Sequence, residues 1–245
     1  MAAPLTCRAR SVASPLDEIG ATGFGLVAAI DVAREYIGLP LAGARVAVQG
    51  FGSVGQHAAR FLTEKGAVVV GASDTSGTLV DQGGLDLAAL IALKAEGRAL
   101  HDHPRGRKLG IEAVIDVPCD IWIPAARPDV IHGDNVARLQ TRLVAEGANI
   151  PLSAQAEKTL ADRGVLVLPD FIANAGGVIC AAVEYRGGTE GAALVSIDKK
   201  IRANTKAVLD EVRRADVLPR TAAKSLAIER VHPAMRTRRW DAEPG

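Results

Sequence analysis

Apolar and polar positions alternate between two spacings along the chain, and each change of spacing marks a new element. Over residues 23–37, Phe24, Val27, Ala28, Ile30 and Ile37 recur at helical intervals, with Thr22 or Asp17 as the starting cap and Gly38-Leu39-Pro40 as the break. A short β-rich run, Arg45-Val46-Ala47-Val48-Gln49, follows and leads straight into Gly50-Phe51-Gly52-Ser53-Val54-Gly55. From Ser53 the spacing is helical again through Val54, Ala58, Phe61 and Leu62, ending near Lys65-Gly66, and residues 67–72 are a second apolar run. Strand, glycine turn, helix and strand within one short stretch predict a βαβ unit.

The same alternation continues. Helices are expected over 85–94 and 153–163, the second with Ser153 as N-cap and Gly164 as its stop. Buried strands are expected over 119–123, 142–145 and 165–168, while 97–110, crowded with basic and histidine residues, predicts a solvated loop. The C-terminal part predicts three helices, over 170–185, 189–215 and 219–240. The resulting fold class is α/β: a Rossmann-like, doubly wound, mostly parallel sheet covered on both faces, with additional C-terminal helices. The expected division is a disordered leader over 1–14 and one domain over 15–239.

Composition narrows the function. With 43 Ala and 25 Gly against 3% aromatics, the core is expected to be aliphatic. A net charge of +1 supplies no field to hold nucleic acid. No apolar run has the ~18 residues of a membrane span, and the N-terminus lacks the apolar stretch of a secretory signal. Cys7, Cys119 and Cys180 fit neither a disulfide framework nor a zinc site and are expected to be reduced, small apolar residues. His101-Asp102-His103 is poor metal spacing, so no metal is expected, and a cytoplasmic location is.

The glycine turn carries the chemistry. In a strand–turn–helix context, G-x-G-x-x-G reads as a dinucleotide site: Gly50 allows the tight turn, Gly52 lets the backbone approach the pyrophosphate, and Gly55 permits close helix–strand packing. The helix N-terminus from Ser53 offers free amides and a positive dipole end to the phosphates. Asp74, after the second strand, is placed to accept from the adenosine ribose hydroxyls. No Arg or Lys flanks it in Ala72-Ser73-Asp74-Thr75-Ser76, which favours NAD over NADP.

Five ordered segments resemble the nucleotide-binding half of the glutamate/leucine/phenylalanine/valine dehydrogenase family. They are Gly20-Ala21-Thr22-Gly23-Phe24-Gly25, the turn from Val48 to Gly55 with Phe51, Ser53 and Val54 inside it, Cys119-Asp120-Ile121-Trp122-Ile123-Pro124-Ala125-Ala126, Glu146-Gly147-Ala148-Asn149, and Pro169-Asp170-Phe171-Ile172-Ala173-Asn174-Ala175-Gly176-Gly177-Val178. The resemblance implies reversible oxidative deamination of an L-amino acid to a 2-oxo acid, with hydride passing to nicotinamide. It implies that Thr22 and Asn174 hold the carboxamide, that Ala125 and Ala126 line the cofactor beyond the turn, and that Asn149 sits near the nicotinamide ribose. It also implies an oligomer. The family's substrate-binding and catalytic lysines and its catalytic aspartate lie in a preceding domain, and only 20 residues precede Ala21. The expectation is therefore no catalytic residue in this chain, no turnover by it alone, and an amino-acid substrate only with a catalytic domain supplied in trans. Its final helices are expected to expose an apolar patch. The alternative is a non-catalytic dinucleotide-binding module, or a truncated remnant that acts through a full-length relative. Glutamate-specific members carry a Ser where Ala181 stands here, which admits an apolar amino acid as substrate.

Overall fold

The computed structural model describes residues 19–236. Seven strands form one sheet: β1 (Arg45–Gln49), β2 (Val68–Asp74), β3 (Gly77–Val80), β4 (Arg107–Leu109), β5 (Ile121–Pro124), β6 (Leu143–Ala145) and β7 (Leu166–Leu168). Their order is β4-β3-β2-β1-β5-β6-β7. The five from β2 to β7 across β1 are parallel, and β3 and β4 extend that edge antiparallel. Eight helices accompany them among the described residues: α1 (Ala21–Tyr36), α2 (Ser53–Glu64), α3 (Leu87–Ala95), α4 (Ala154–Asp162), α5 (Asp170–Ala173), α6 (Gly176–Glu184), α7 (Glu190–Ala215) and α8 (Pro219–Arg236).

The central strands are apolar throughout because both faces are covered. Successive side chains of β1 and β5 go to opposite sides: Val46, Val48, Ile121 and Ile123 join the core under α1, α2 and α7, while Ala47 and Trp122 join the core under α4. Trp122, the largest fully buried side chain, is the one aromatic of that second core and donates its indole N–H to the Val114 carbonyl at 3.2 Å. The first core adds Phe51, with Phe24 and Phe61 packed against it, and both are otherwise aliphatic, which lets the helices lie close on the sheet.

Several expectations are corrected. The N-cap of α1 is Gly20, with no side-chain cap; Thr22 lies inside the first turn. Residues 97–110 are more than a solvated loop: Leu100 and His103 are buried, and Arg107–Leu109 pairs with β3. A three-residue charged strand carries no period to read, and such strands are typical of an edge kept from pairing further. The helix expected over 170–185 is two helices, separated at Asn174 and Ala175. The leader over 1–14, Asp17 and the segment 237–240 lie outside the described residues.

Candidate functional site

Between β1 and β5 the sheet changes direction, since β1 leads on to β2 on one side and β5 to β6 on the other. Ligands of open α/β sheets bind in the crevice at the carboxyl ends of such strands. Here the crevice is a cleft of about 500 Å³. Its walls come from the end of β1 (Gln49, Gly50, Phe51, Gly52), the end of β2 (Ser73, Asp74, Thr75), the segment after β5 (Ala125, Ala126, Arg127), and Lys94 and Ile111.

The glycines behave as three different objects. Gly50 has φ +94°, and a Cβ on it would lie 2.6 Å from Ala126 Cβ. Its amide and that of Phe51 donate to the Ser73 carbonyl at 3.0 and 2.7 Å, tying the turn to β2. Gly55 packs its Cα against the Gly50 carbonyl, where a side chain would collide. Gly52 faces open space, with nothing within 4 Å of where a Cβ would stand. It is also the N-cap of α2 and has no side-chain cap, whereas Asp86, Ser153 and Thr189 cap α3, α4 and α7. The amides opening α2 are thus left to an external acceptor, and the cleft fits a pyrophosphate. Phe51 turns its ring into the core, so only its backbone serves the cleft.

Asp74 reaches the cleft wall, but not as a free acceptor. Its Oδ2 accepts from Lys94 Nζ at 2.8 Å and from the Leu100 amide at 3.0 Å; its Oδ1 accepts from the Ser76 amide and hydroxyl at 2.8 and 2.5 Å. Burial opposes its ionisation, yet the Lys94 ammonium and these donors outweigh burial and hold the carboxyl at about 2. The sequence around Asp74 carries no cation; the fold brings one from twenty residues further on. That removes the premise on which NAD was preferred. The Lys94 side chain is mostly buried in this contact.

The remaining implied residues gather away from this cleft. Asn174 Nδ2 donates to Asn149 Oδ1 at 2.8 Å. Gly176 packs against the Ala21 carbonyl, and a Cβ on Gly177 would lie 3.0 Å from Thr22 Oγ1, so Thr22 is at the start of α6. Val54 links the two groups: a Cβ on Gly147 would meet its Cγ1 at 3.3 Å.

Sequence reasoning missed a set of four residues beneath the asparagines. Arg220, in the first turn of α8, donates from Nε to Glu157 at 2.5 Å, from Nη1 to Asp170 at 2.9 Å and from Nη2 to Glu146 at 2.7 Å. Glu146 is fully buried, and its Oε1 has no hydrogen-bond partner among the described residues. Burial pushes its carboxyl up, to about 8, against the pull of Arg220 and with help from Glu157. The carboxyls in turn raise the guanidinium's own affinity for its proton, so Arg220 stays charged. The readable signal was an acid within two residues of an apolar strand's end, at Glu146 after β6 and at Asp170 after β7; nothing in sequence tied either to Arg220.

A group whose pKa is raised on folding favours the folded chain fully at pH below its unfolded value. That contribution is lost as pH rises through the folded value. For Glu146 the window runs from the ordinary 4.5 up to about 8. Glu146→Gln is expected to flatten the decline of urea-unfolding stability across that window. An unchanged slope in the variant would place the raised carboxyl elsewhere.

The model of the family described as Glutamate/Leucine/Phenylalanine/Valine dehydrogenase matches residues 14–239. A glutamate dehydrogenase of Aeropyrum pernix is 39% identical over 232 residues, covering 91% of this chain and 56% of that protein. An NADP-specific glutamate dehydrogenase of Saccharolobus shibatae is 36% identical, covering 89% and 53%. Among solved structures, the leucine-bound form of a hetero-hexameric glutamate dehydrogenase from Thermus thermophilus superposes with TM-score 0.80 at 29% identity, over 90% of this chain and 53% of that one. An L-tryptophan dehydrogenase from Nostoc punctiforme superposes with TM-score 0.71 at 25% identity, over 89% and 61%. The chain spans about half the length of the curated relatives it matches.

Proposed function

The chain belongs to the glutamate/leucine/phenylalanine/valine dehydrogenase family, and on that premise we propose that it is the nicotinamide-dinucleotide half of an L-amino-acid dehydrogenase. The observation that carries this reading is the uncapped N-terminus of α2 opening onto the cleft, with Gly52 leaving room where a phosphate would approach. In this reading the α2 amides hold the pyrophosphate, and Ala125 and Ala126 bound it on the far side. Asn149, Asn174 and Thr22 orient the nicotinamide end. When bound, nicotinamide supplies the acceptor for a hydride from the substrate's α-carbon.

Deamination also needs a base beside that carbon. The lysines with recorded ion-pair partners are committed elsewhere: Lys65 with Asp31, Lys94 with Asp74, Lys158 with Asp162 and Lys206 with Asp210. Lys108, Lys199, Lys200 and Lys224 lie exposed, and we assign the base and the carboxylate-binding lysines to a further domain, in the same or a partner polypeptide. The face that meets them is α6, where Val178, Ala181 and Tyr185 lie exposed at helical spacing, Tyr185 at 94% and Val178 at 76%. An apolar stripe with Ala181 at its middle favours a substrate with an apolar side chain. The chain alone is expected to give no turnover with NAD or NADP and L-glutamate, L-leucine, L-phenylalanine, L-valine or L-tryptophan. Reproducible turnover abolished by Asn174→Ala would overturn that assignment.

The cofactor preference follows from Asp74. Its oxygens are occupied by Lys94, Ser76 and Leu100, and Lys94 and Arg127 both stand in the cleft wall. A 2′-phosphate would therefore meet cations as well as an acid, and both NAD and NADP are expected to bind, with dissociation constants within about tenfold of each other. Calorimetric titration checks this. Lys94→Met is expected to weaken NADP more than NAD, and an NADP affinity on the order of 100-fold below that for NAD would instead restore Asp74 as a selective acceptor.

A further inference from the structure

We propose that Arg220 is a positioning residue for the nicotinamide end, setting the Asn149–Asn174 pair through Asp170 from the first turn of α8. The inference rests on the reading that these asparagines hold the nicotinamide end of the cofactor. It goes beyond that reading because Arg220 lies in a C-terminal helix that contributes nothing to the cleft.

The relay can be followed atom by atom. Arg220 Nη1 donates to Asp170 Oδ1 at 2.9 Å, and Asp170 Oδ2 accepts from the Ile150 amide at 2.8 Å. Ile150 directly follows Asn149 and has φ +47°, the left-handed region that β-branched residues avoid. It buries little, being mostly exposed, so packing does not hold it there. The bond from its amide to Asp170 does, together with the one its carbonyl accepts from the Asp129 amide at 3.0 Å. Asp170 also opens α5, the single turn that Asn174 closes, and its carbonyl accepts from the Asn174 amide at 2.7 Å. One aspartate thus fixes the backbone beside both asparagines. Arg220 fixes the aspartate, and it does so with a fork. Nη2 reaches Glu146 Oε2, which also accepts from the Asp170 amide at 2.8 Å, while Nε holds Glu157 of α4. Three directions from one planar group fix the Asp170 carboxyl in orientation as well as position, which a lysine ammonium on a flexible stem does not reproduce.

The consequence is specific to one end of the ligand. The pyrophosphate turn is anchored on β2 through Ser73, and its nearest approach to the relay is the packing of Val54 on Gly147, without a hydrogen bond to Arg220 or Asp170. ADP, which lacks both nicotinamide and its ribose, should be indifferent to Arg220, and NAD should not. The experiment is isothermal titration of the full chain and its Arg220→Lys variant with ADP and with NAD. In the variant, ADP affinity is expected to stay within about twofold of the parent. NAD affinity should fall by roughly five- to tenfold, the worth of one misplaced neutral hydrogen bond. If Arg220→Lys does not fold, Asp170→Asn cuts the same relay one step later at nearly constant volume and is read identically. Equal weakening of both ligands, or of neither, overturns the proposal and leaves the cofactor reading standing. Failure of the parent chain to bind ADP overturns the cofactor reading itself. Equal affinity of the parent for the two ligands overturns the assignment of the asparagines, and this inference with it.

Discussion

Gly52→Asp is expected to leave the chain at least as stable as the parent while weakening NAD binding on the order of 100-fold. Gly52 is the N-cap of α2, with extended backbone (φ −90°, ψ −160°) and open space around it, so a side chain enters without strain or collision. Aspartate is among the best N-cap residues. It gains a few tenths of a kcal/mol over glycine from its bond to the helix amides, and more from its charge at the positive end of the dipole. Those same amides are the ones assigned to the pyrophosphate. Two charge-assisted hydrogen bonds worth at least ~1.5 kcal/mol each would be lost to an internal competitor, with a like charge added. Thermal unfolding and calorimetry on one preparation read both halves. Unchanged affinity in a folded Gly52→Asp chain would place the phosphates away from α2.

Three residues along, the same kind of substitution has the opposite effect. Gly55→Ala adds a single methyl group, which would collide with the Gly50 carbonyl and press on Val48 Cγ1 at 2.9 Å. Neither neighbour can give: Gly50 is pinned by its bond to Ser73, and Val48 is wholly buried in the core. Helix α2 must shift off the sheet, an overpacking cost of about 3 kcal/mol. For a domain of this size that lowers Tm by roughly 6–12 °C. NAD binding should fall with it, and high ligand concentration should recover part of the lost Tm, as any ligand of the folded state does. A Gly55→Ala chain with the parent's Tm would mean that α2 is not packed on β1 as described.

The contrast explains what could be read from the sequence. The glycine turn was legible because each glycine answers to its immediate neighbours, and strand, turn and helix are consecutive. The β1–α2–β2 unit was expected almost to the residue for that reason, as were the Ser153 cap and the Thr189 start of α7. Asp74 was placed correctly at the end of β2, but its chemical state depends on Lys94, delivered by a helix whose own periodicity says nothing of where it lands. The break at Asn174 was signalled only by Asn174 and Gly176-Gly177 within an otherwise largely apolar run; what enforces it is Gly176 closing on the Ala21 carbonyl, a contact between distant segments. Arg220, Glu157, Asp170 and Glu146 are the extreme case: each looks like surface charge in its own stretch, and only the fold turns them inward together.

The central claim, that this chain holds a nicotinamide dinucleotide along the carboxyl ends of β1, β2 and β5, is tested most directly by locating the ligand. Titration of the isotope-labelled chain with NAD, followed by amide NMR, should give saturable shifts at the backbone of Gly50, Gly52, Ser53 and Val54. Ser73, Asp74, Ala125 and Ala126 should shift with them, as should the side-chain amides of Asn149 and Asn174. Shifts that saturate instead in the second groove, the ~300 Å³ space bounded by Phe24, Phe61 and Arg202, or no saturable shift at millimolar NAD, would contradict it.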